Sequence, residues 1–270
     1  MKNFLFLGNP ENSRCRTLVK EAYEFLTASG AECRAGGKLS ALGLLPEAED
    51  DFPADVALVF GGDGTILNAL GLLSGKEIPV LGINLGHVGY LAAAEPENTI
   101  SILKDCLEGK YLTEERITLE ACFEDKSLCG INEAVLYRGD KPHILNVSVG
   151  INGQEVTRIR ADGIIVATPT GSTAYNLSAG GPLMVPTAEN LVVTPICAHS
   201  MLSRPLVVGS KDVITLTVEG NSVLSLDGKT VTEISARQAV TLKTGTRKIR
   251  FIRSGNDSFY KTLQKKLSRQ

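Results

Sequence analysis

The chain has 270 residues, 43% of them apolar and 21% charged, with 27 glycines, 11 prolines and a formal net charge of -2. This balance fits one large or two modest globular domains and excludes a disordered or fibrous chain. With Lys and Arg scattered there is no electrostatic reason for a nucleic-acid or membrane partner, and no apolar run reaches the roughly 18 to 20 residues that span a bilayer.

Phe4 to Gly8 is an apolar run closed by glycine, and Leu18, Val19, Ala22, Phe25 and Leu26 recur at helical spacing over Cys15 to Ala28. A strand followed by an amphipathic helix is predicted. The pattern repeats with a buried strand over Val56 to Phe60, a glycine turn over Gly61 to Gly64, a helix over Thr65 to Leu73 and a strand over Pro79 to Ile83. Alternating strands and helices predict a parallel sheet with right-handed crossovers. Ala35 to Asp55 shows no clear pattern, and its acidic patch Glu47 to Asp51 reads as a surface loop. A helix is predicted from Glu97 to Leu107, with Gly109 beyond its end.

From Leu112 to Arg253 the texture changes to short β-branched runs, among them Ile144 to Val149, Ile164 to Thr168, Val213 to Val218 and Thr230 to Ile234. Asn152-Gly153 and Asp227-Gly228 punctuate them as hairpin turns. An all-β sandwich is expected, with one helical interruption at Ser172 to Ser178. The amphipathic tail Asp257 to Leu267 is expected to pack back on the first domain. The expected division is therefore an α/β domain over residues 1–110 completed by 254–270, and a β-sandwich over 111–253.

Six cysteines show no C-x-x-C pair, and Met1-Lys2-Asn3 leads into a short apolar run without a signal cleavage site. These features predict a soluble cytoplasmic protein with reduced, mostly buried thiols.

Gly61-Gly62-Asp63-Gly64-Thr65 sits where a parallel strand gives way to a helix. Glycines there let backbone amides approach an anion, and the helix dipole favours phosphate. A carboxylate beside phosphate repels it unless it holds a metal ion or takes a proton from an attacking hydroxyl, so Asp63 points to phosphoryl transfer. The alternative is that Asp63 only caps the helix. Neither a G-x-G-x-x-G fingerprint nor a Walker A Gly-Lys-Ser/Thr is present.

The run Asp162 to Tyr175 carries a buried strand into Thr168-Pro169-Thr170-Gly171 and then a helix opened by hydroxyl residues. Amides and hydroxyls converging there suit a polar ligand, with plain helix capping as the alternative. Asn132 and Glu133 set an amide and a carboxylate side by side at a strand start, matched to sugar hydroxyls and adenine edges or simply to a turn.

Taken in order, Gly61 to Thr65, Gly86-His87-Val88-Gly89-Tyr90, Ile131-Asn132-Glu133 and Asp162 to Tyr175 with Gly180-Gly181-Pro182 resemble the signature of the NAD kinase family across the whole chain. Diacylglycerol-kinase-like lipid kinases and phosphofructokinases have similar Asp loops, and the long Asp162 to Pro182 block separates them. The resemblance implies transfer of a phosphoryl group from ATP or polyphosphate to the adenosine ribose 2′-hydroxyl of NAD, with a divalent metal ion such as Mg²⁺. Asp63 matches the catalytic aspartate, and Gly62, Gly64, Tyr90 and Leu91 match the lining of the adenosine end. Asn132 and Glu133 match the dinucleotide-contacting pair, and Asp162, Thr173, Ala174, Tyr175 and Ser178 the remaining NAD pocket. His87 and Arg160 are candidates for phosphate contact, with loop and surface roles as their alternatives. The resemblance also implies a homodimer or homotetramer. Ala198, where many relatives have Pro, and Lys229, where many have Gln, depart from the family pattern, and the compact N-terminal region is similar to the short bacterial type. A lipid kinase on the same loop and a non-catalytic NADP(H) sensor are the competing readings.

Overall fold

The structure is a computed structural model and describes residues 1–73, 75–86, 89–140, 143–199, 203–255 and 258–268. Two compact units divide the chain, Met1–Glu115 together with Ile249–Gln270, and Arg116–Lys248. In the first, β1 (Asn3–Gly8), α1 (Ser13–Ala28), β2 (Glu32–Ala35), β3 (Val56–Phe60), α2 (Asp63–Leu72), β4 (Val80–Ile83) and α3 (Thr99–Leu107) follow one another. β5 (Leu112–Phe123) leads into the second unit, which continues with β6 (Lys126–Gly130), β7 (Glu133–Tyr137), β8 (Leu145–Ile151), β9 (Gln154–Ala161) and β10 (Gly163–Ala167). After the single turn α4 (Tyr175–Ser178) come β11 (Asn190–Ile196), β12 (Leu206–Gly209), β13 (Ile214–Val218), β14 (Ser222–Leu226) and β15 (Lys229–Ile234). β16 (Ala239–Arg253) returns the chain to the first unit, and α5 (Phe259–Leu267) follows.

The first unit is a parallel sheet in the order β2-β1-β3-β4-β16. The chain leaves β1 for β2 on one side and then crosses to β3 on the other. The order therefore reverses between β1 and β3, where Gly8 lies opposite Phe60. A crevice outside the carboxyl ends of the strands at such a switch point is where open α/β sheets hold ligands, and the glycine loop begins there at Gly61. Strand β3 is buried along its whole length, as its unbroken apolar sequence requires. Helix α1 covers the sheet with Cys15, Leu18, Val19, Ala22 and Leu26. Its start is set by the Asn12 side chain, which accepts from the amides of Arg14 and Cys15, a cap that stabilises a helix by about 1 kcal/mol.

The second unit is a β-sandwich. One antiparallel sheet runs β12-β11-β10-β7-β14-β15, and the facing strands include β16, β13, β8 and β9 with β5 and β6. Leu136, Ile164, Val166 and Leu224 from the first set pack with Val147, Val149, Leu216 and Val240 from the other in one core. The alternate residues of β10, Ile165 and Ala167, turn to the opposite face with Val135 and Val192, against which Ala179 and Met184 pack. Burial on both faces explains why β10 lacks the polar alternation of a half-exposed strand.

Several expectations need correction. Helix α2 starts at Asp63 rather than Thr65, so the glycine turn is two residues shorter than predicted. The stretch without a clear pattern contains the end of β2 and a 3₁₀ turn over Gly37–Leu42, and Glu47 of the acidic patch forms a bridge with Ala35. The thiols are free, yet only Cys15, Cys33 and Cys106 are buried, while Cys122 is half-buried and Cys129 and Cys197 are exposed. Cys129 lies on β6, which among the described residues pairs with β5 alone, and Cys197 follows β11 with a φ of 48°. Among the described residues no helix is long and apolar enough to cross a membrane.

Candidate active site

In the first unit, Asp63 is the first residue of α2, and the residue before it is Gly62. Its carboxylate accepts the N–H of Tyr90 at 2.9 Å on Oδ2 and the N–H of Leu91 at 3.0 Å on Oδ1. The bonds run to a second loop and not to the amides of its own helix, which sets aside the capping alternative. Two charge-assisted hydrogen bonds hold the carboxylate in one orientation while it stays half-buried, with Gly62 and Gly64 exposed on either side. A carboxylate has about four lone-pair sites, so Asp63 retains capacity for a proton or a cation.

The glycines around it are steric requirements. A Cβ on Gly61 would collide with the Thr65 side chain, and a Cβ on Gly89 would collide with the Asp63 carboxylate. The segment after Gly89 is tied back to the sheet, since Ala93 N–H donates to Gly82 O and Asn84 N–H to Ala94 O. Buried Asn84 adds a bond from Nδ2 to Glu95 at 3.1 Å and accepts the Gly86 N–H at 3.2 Å. The Tyr90 ring lies 6.0 Å from that of Phe259 in α5, and Lys266 Nζ stands 4.2 Å from the Tyr90 ring centroid. Burial, reinforced by the charge of Asp63, pushes the Tyr90 phenol up. A cavity of about 190 Å³ is lined by Asn84, Gly89, Glu95, Lys261 and Lys265 among others. His87 lies outside the described residues.

In the second unit Asn132 and Glu133 sit on a turn bound by Asp227, whereas Asp162 lies at the other end of β10, whose Gly163 pairs with Tyr137 while its Ala167 pairs with Glu133. The Asp227 carboxylate accepts from the amides of Ile131 at 2.8 Å, Asn132 at 2.7 Å and Glu133 at 3.2 Å, and its own N–H donates to Glu133 O at 3.0 Å. Asp227 can do so because it occupies the tip of the β14-β15 hairpin, with φ of 48° followed by 75° at Gly228, the paired left-handed values of a tight hairpin turn. Across from it, Thr168 Oγ1 donates to Ile131 O at 2.6 Å and Thr168 N–H donates to Asn132 O at 2.9 Å. A Cβ on Gly171 would strike the Asn132 backbone, so only glycine lets the two turns meet.

Glu133 is 6% exposed, and its Oε2 has no hydrogen-bond partner among the described residues. Burial, reinforced by the neighbouring Asp227 carboxylate, pushes its carboxyl up to about 7. Burial likewise raises Asp227, against the pull of its three amide donors. The turn after β10 is organised by Ser172 and Asn176, both fully buried. Asn176 donates to Ser172 O and Pro182 O and accepts from Thr194 Oγ1 at 2.6 Å. Over this base Thr173 and Ala174 are half-buried, and Tyr175 and Ser178 are exposed. Asp162 pairs with Arg138 at 3.1 Å. Partial burial, then the nearby Cys197 and Asp162 charges, push the Tyr175 phenol up. Arg160 is exposed on β9.

Sequence reasoning missed Asp227, Asn176 and Arg138. The Asp-Gly pair was visible as a turn, but nothing local shows that its carboxylate holds amides 94 to 96 residues away.

An acidic residue fixed at a helix start outside the ends of parallel strands, on a chain whose second unit presents a polar turn with a buried orphan acceptor, defines a phosphotransferase acting on a polar, nucleotide-like substrate. Comparison with known proteins makes this specific. Residues 4–111 match the ATP-NAD kinase N-terminal domain and residues 131–254 the ATP-NAD kinase C-terminal domain. The chain is 38% identical to an NAD kinase of Methanothermobacter thermautotrophicus over 93% of its own length and 90% of that protein. It is 37% identical to an NAD kinase of Symbiobacterium thermophilum over 99% of both. The fold superposes on an Archaeoglobus fulgidus NAD kinase in complex with ATP with a TM-score of 0.80, at 27% identity over 99% of both chains. It shares the fold of yeast NADH kinase complexed with NADH, with a TM-score of 0.89 at 22% identity over 99% of this chain and 88% of that one. The chain belongs to the NAD kinase family and has its phosphotransferase activity.

Proposed function

We propose that the chain phosphorylates the adenosine ribose 2′-hydroxyl of NAD, with Asp63 as the general base. The observation that carries this reading is the Asp63 carboxylate, held by the Tyr90 and Leu91 amides at the start of α2 with lone pairs to spare. Asp63 takes the 2′-hydroxyl proton as that oxygen forms its bond to the terminal phosphorus of the donor. The bridging P–O bond breaks, and the shortened donor leaves with the electron pair. Preorganisation matters most here, because phosphoryl transfer depends on position and charge stabilisation rather than on covalent help from the protein.

The dinucleotide lies against the turn of Asn132 and Glu133, with Thr173, Ala174, Tyr175, Ser178 and Asp162 around it. The orphan Oε2 of Glu133 supports this, since a buried acceptor without a partner is satisfied by a ligand N–H. Gly62, Gly64, Tyr90 and Leu91 border the reacting ribose. Arg160, exposed on β9, remains a candidate phosphate contact, as does His87. ATP as donor is supported by the ATP-bound A. fulgidus relative, and polyphosphate is a second donor to be tested. Lys261 and Lys265 at their cavity bring positive charge to the Asp63 unit. A divalent cation such as Mg²⁺ would supply neutralisation of the transferring phosphoryl group, and the free lone pairs of Asp63 would fit a cation brought in on donor phosphates. A cytoplasmic homodimer or homotetramer is the expected form, supported by the free thiols and by exposed Leu177, Leu183 and Val185.

The test is NADP formation from NAD, Mg²⁺ and either ATP or polyphosphate, run beside Asp63→Asn. Turnover is expected to disappear in the variant while NAD still binds, and full activity in Asp63→Asn would remove the general-base role. Tight NADP binding without turnover on any donor would favour the sensor reading. The match of both halves of the chain to the NAD kinase domains already weighs against the lipid kinase.

A further inference from the structure

Arg253 ends β16 and belongs to the first unit. It is 8% exposed, a rare setting for a guanidinium, which must find hydrogen-bond partners to offset its lost hydration. Nη1 donates to the carbonyls of Leu91 and Ala92, each at 3.3 Å. Nη2 donates to the carbonyl of Tyr90 at 3.4 Å and to the Glu114 carboxylate at 3.1 Å. The guanidinium carbon also sits 5.5 Å from the centre of the Phe251 ring.

These carbonyls belong to the segment whose amides hold Asp63. The Tyr90 carbonyl and the Leu91 N–H are two ends of one peptide group. One end accepts from Arg253 and the other donates to Asp63 Oδ1 at 3.0 Å. A cation on the carbonyl draws electron density through the peptide and strengthens the N–H as a donor. Three carbonyls in succession on one rigid fork also fix where the Tyr90 and Leu91 amides point.

We propose that Arg253 is a positioning residue for phosphoryl transfer, acting through the Tyr90–Leu91 peptide to hold the Asp63 carboxylate in its reactive orientation. This rests on the reading of Asp63 given above. Arg253 is 8% exposed, and its hydrogen bonds go to Tyr90, Leu91, Ala92 and Glu114 rather than to Asp63. Its effect is therefore expected chiefly in kcat, with any loss of NAD affinity through the Tyr90–Leu91 border the smaller of the two.

The test replaces Arg253 with Lys, which keeps the charge and removes the planar fork, and measures three quantities on the whole protein. The first is kcat with the NAD dissociation constant, the second is amide hydrogen exchange of Tyr90 and Leu91 against β3, and the third is global unfolding. A displacement of about 1 Å at a reacting group lowers rates by about 100-fold, so kcat is expected to fall about 10- to 100-fold while NAD affinity stays within about twofold. Tyr90 and Leu91 should exchange faster while β3 exchanges as before. Wild-type kcat with both amides still protected would overturn the proposal. So would a uniform rise in exchange across β3 and the Tyr90 segment, which marks a role in general stability. If Arg253→Lys does not fold, Glu114→Gln loosens the anchor and keeps the fork, and the same selective exchange is expected at smaller size; its absence overturns the proposal equally. Full activity in Asp63→Asn would instead unseat the general base, and the exchange result would still report whether Arg253 holds the segment.

Discussion

Gly89→Ala isolates the geometry of Asp63 with a single methyl group. The expected effect comes from where the new Cβ falls. It would lie 2.9 Å from Asp63 Cγ and 3.3 Å from Oδ2, with Oδ1 closer still. Oδ1 is the atom that receives the Leu91 N–H. To clear the methyl the carboxylate must turn away, and that hydrogen bond is lost. A bond to a charged group contributes about 1.5 to 3 kcal/mol. At about 1.4 kcal/mol for each factor of ten, kcat should fall about 10- to 100-fold. The same loss felt in stability should lower the melting temperature by about 3 to 12 °C, at about 2 to 4 °C per kcal/mol. Initial rates of NADP formation at saturating NAD, paired with direct titration of NAD binding, make the measurement. A variant with wild-type kcat, or one whose loss lies wholly in NAD affinity, would refute the reasoning.

Three other perturbations probe the second unit. Asp227→Ala strips the acceptor from three amides and should lower stability by about 2 to 4 kcal/mol in urea denaturation, whereas Asp227→Asn, which keeps one oxygen and tolerates the positive φ, should lose less. Glu133 has its folded value raised from 4.5 to about 7 by burial, so its contribution to stability is full below 4.5 and is lost as pH rises through about 7. At about 1.4 kcal/mol for each pH unit, Glu133→Gln should gain on the wild type by about 3 kcal/mol between pH 4.5 and pH 8, and a difference that does not change with pH would contradict this origin. Asn176→Leu leaves Ser172 O, Pro182 O and Thr194 Oγ1 without their partner, and should destabilise by about 3 kcal/mol and weaken NAD binding; binding and stability equal to wild type would show that the turn does not depend on this hub.

Strand β3 and the glycine turn that follows it were legible because five apolar residues ending in two glycines leave few alternatives to a buried strand and a tight turn. β10 was legible for the same reason, being buried on both faces. Strand β2 was not, since Glu32 to Ala35 is four residues long with an exposed glutamate at its head, too short for a period to register. Helix α2 was read two residues late because glycine has low helix propensity, which hid Asp63 as its first residue. Of the site, residues within contiguous motifs could be named from sequence. Those that hold the motifs in place could not. Asp227, Arg138 and Arg253 act across 94, 24 and 162 residues of chain respectively, and no local pattern marks such partners.

The brace between Arg253 and Leu91 has a consequence for synthesis. The two residues are 162 apart in the chain, and at about 5 to 20 residues per second a ribosome needs about 8 to 30 s to pass from one to the other. Through that interval the nascent chain already contains Asp63 and the amides that hold it, yet lacks the strand that completes the parallel sheet and the cation that fixes the loop. A message cut short before β16 would therefore yield a polypeptide with every motif of the Asp63 loop but without the Arg253 guanidinium that binds the Tyr90–Ala92 carbonyls. The enzyme's activity would thus report that translation had run on through β16.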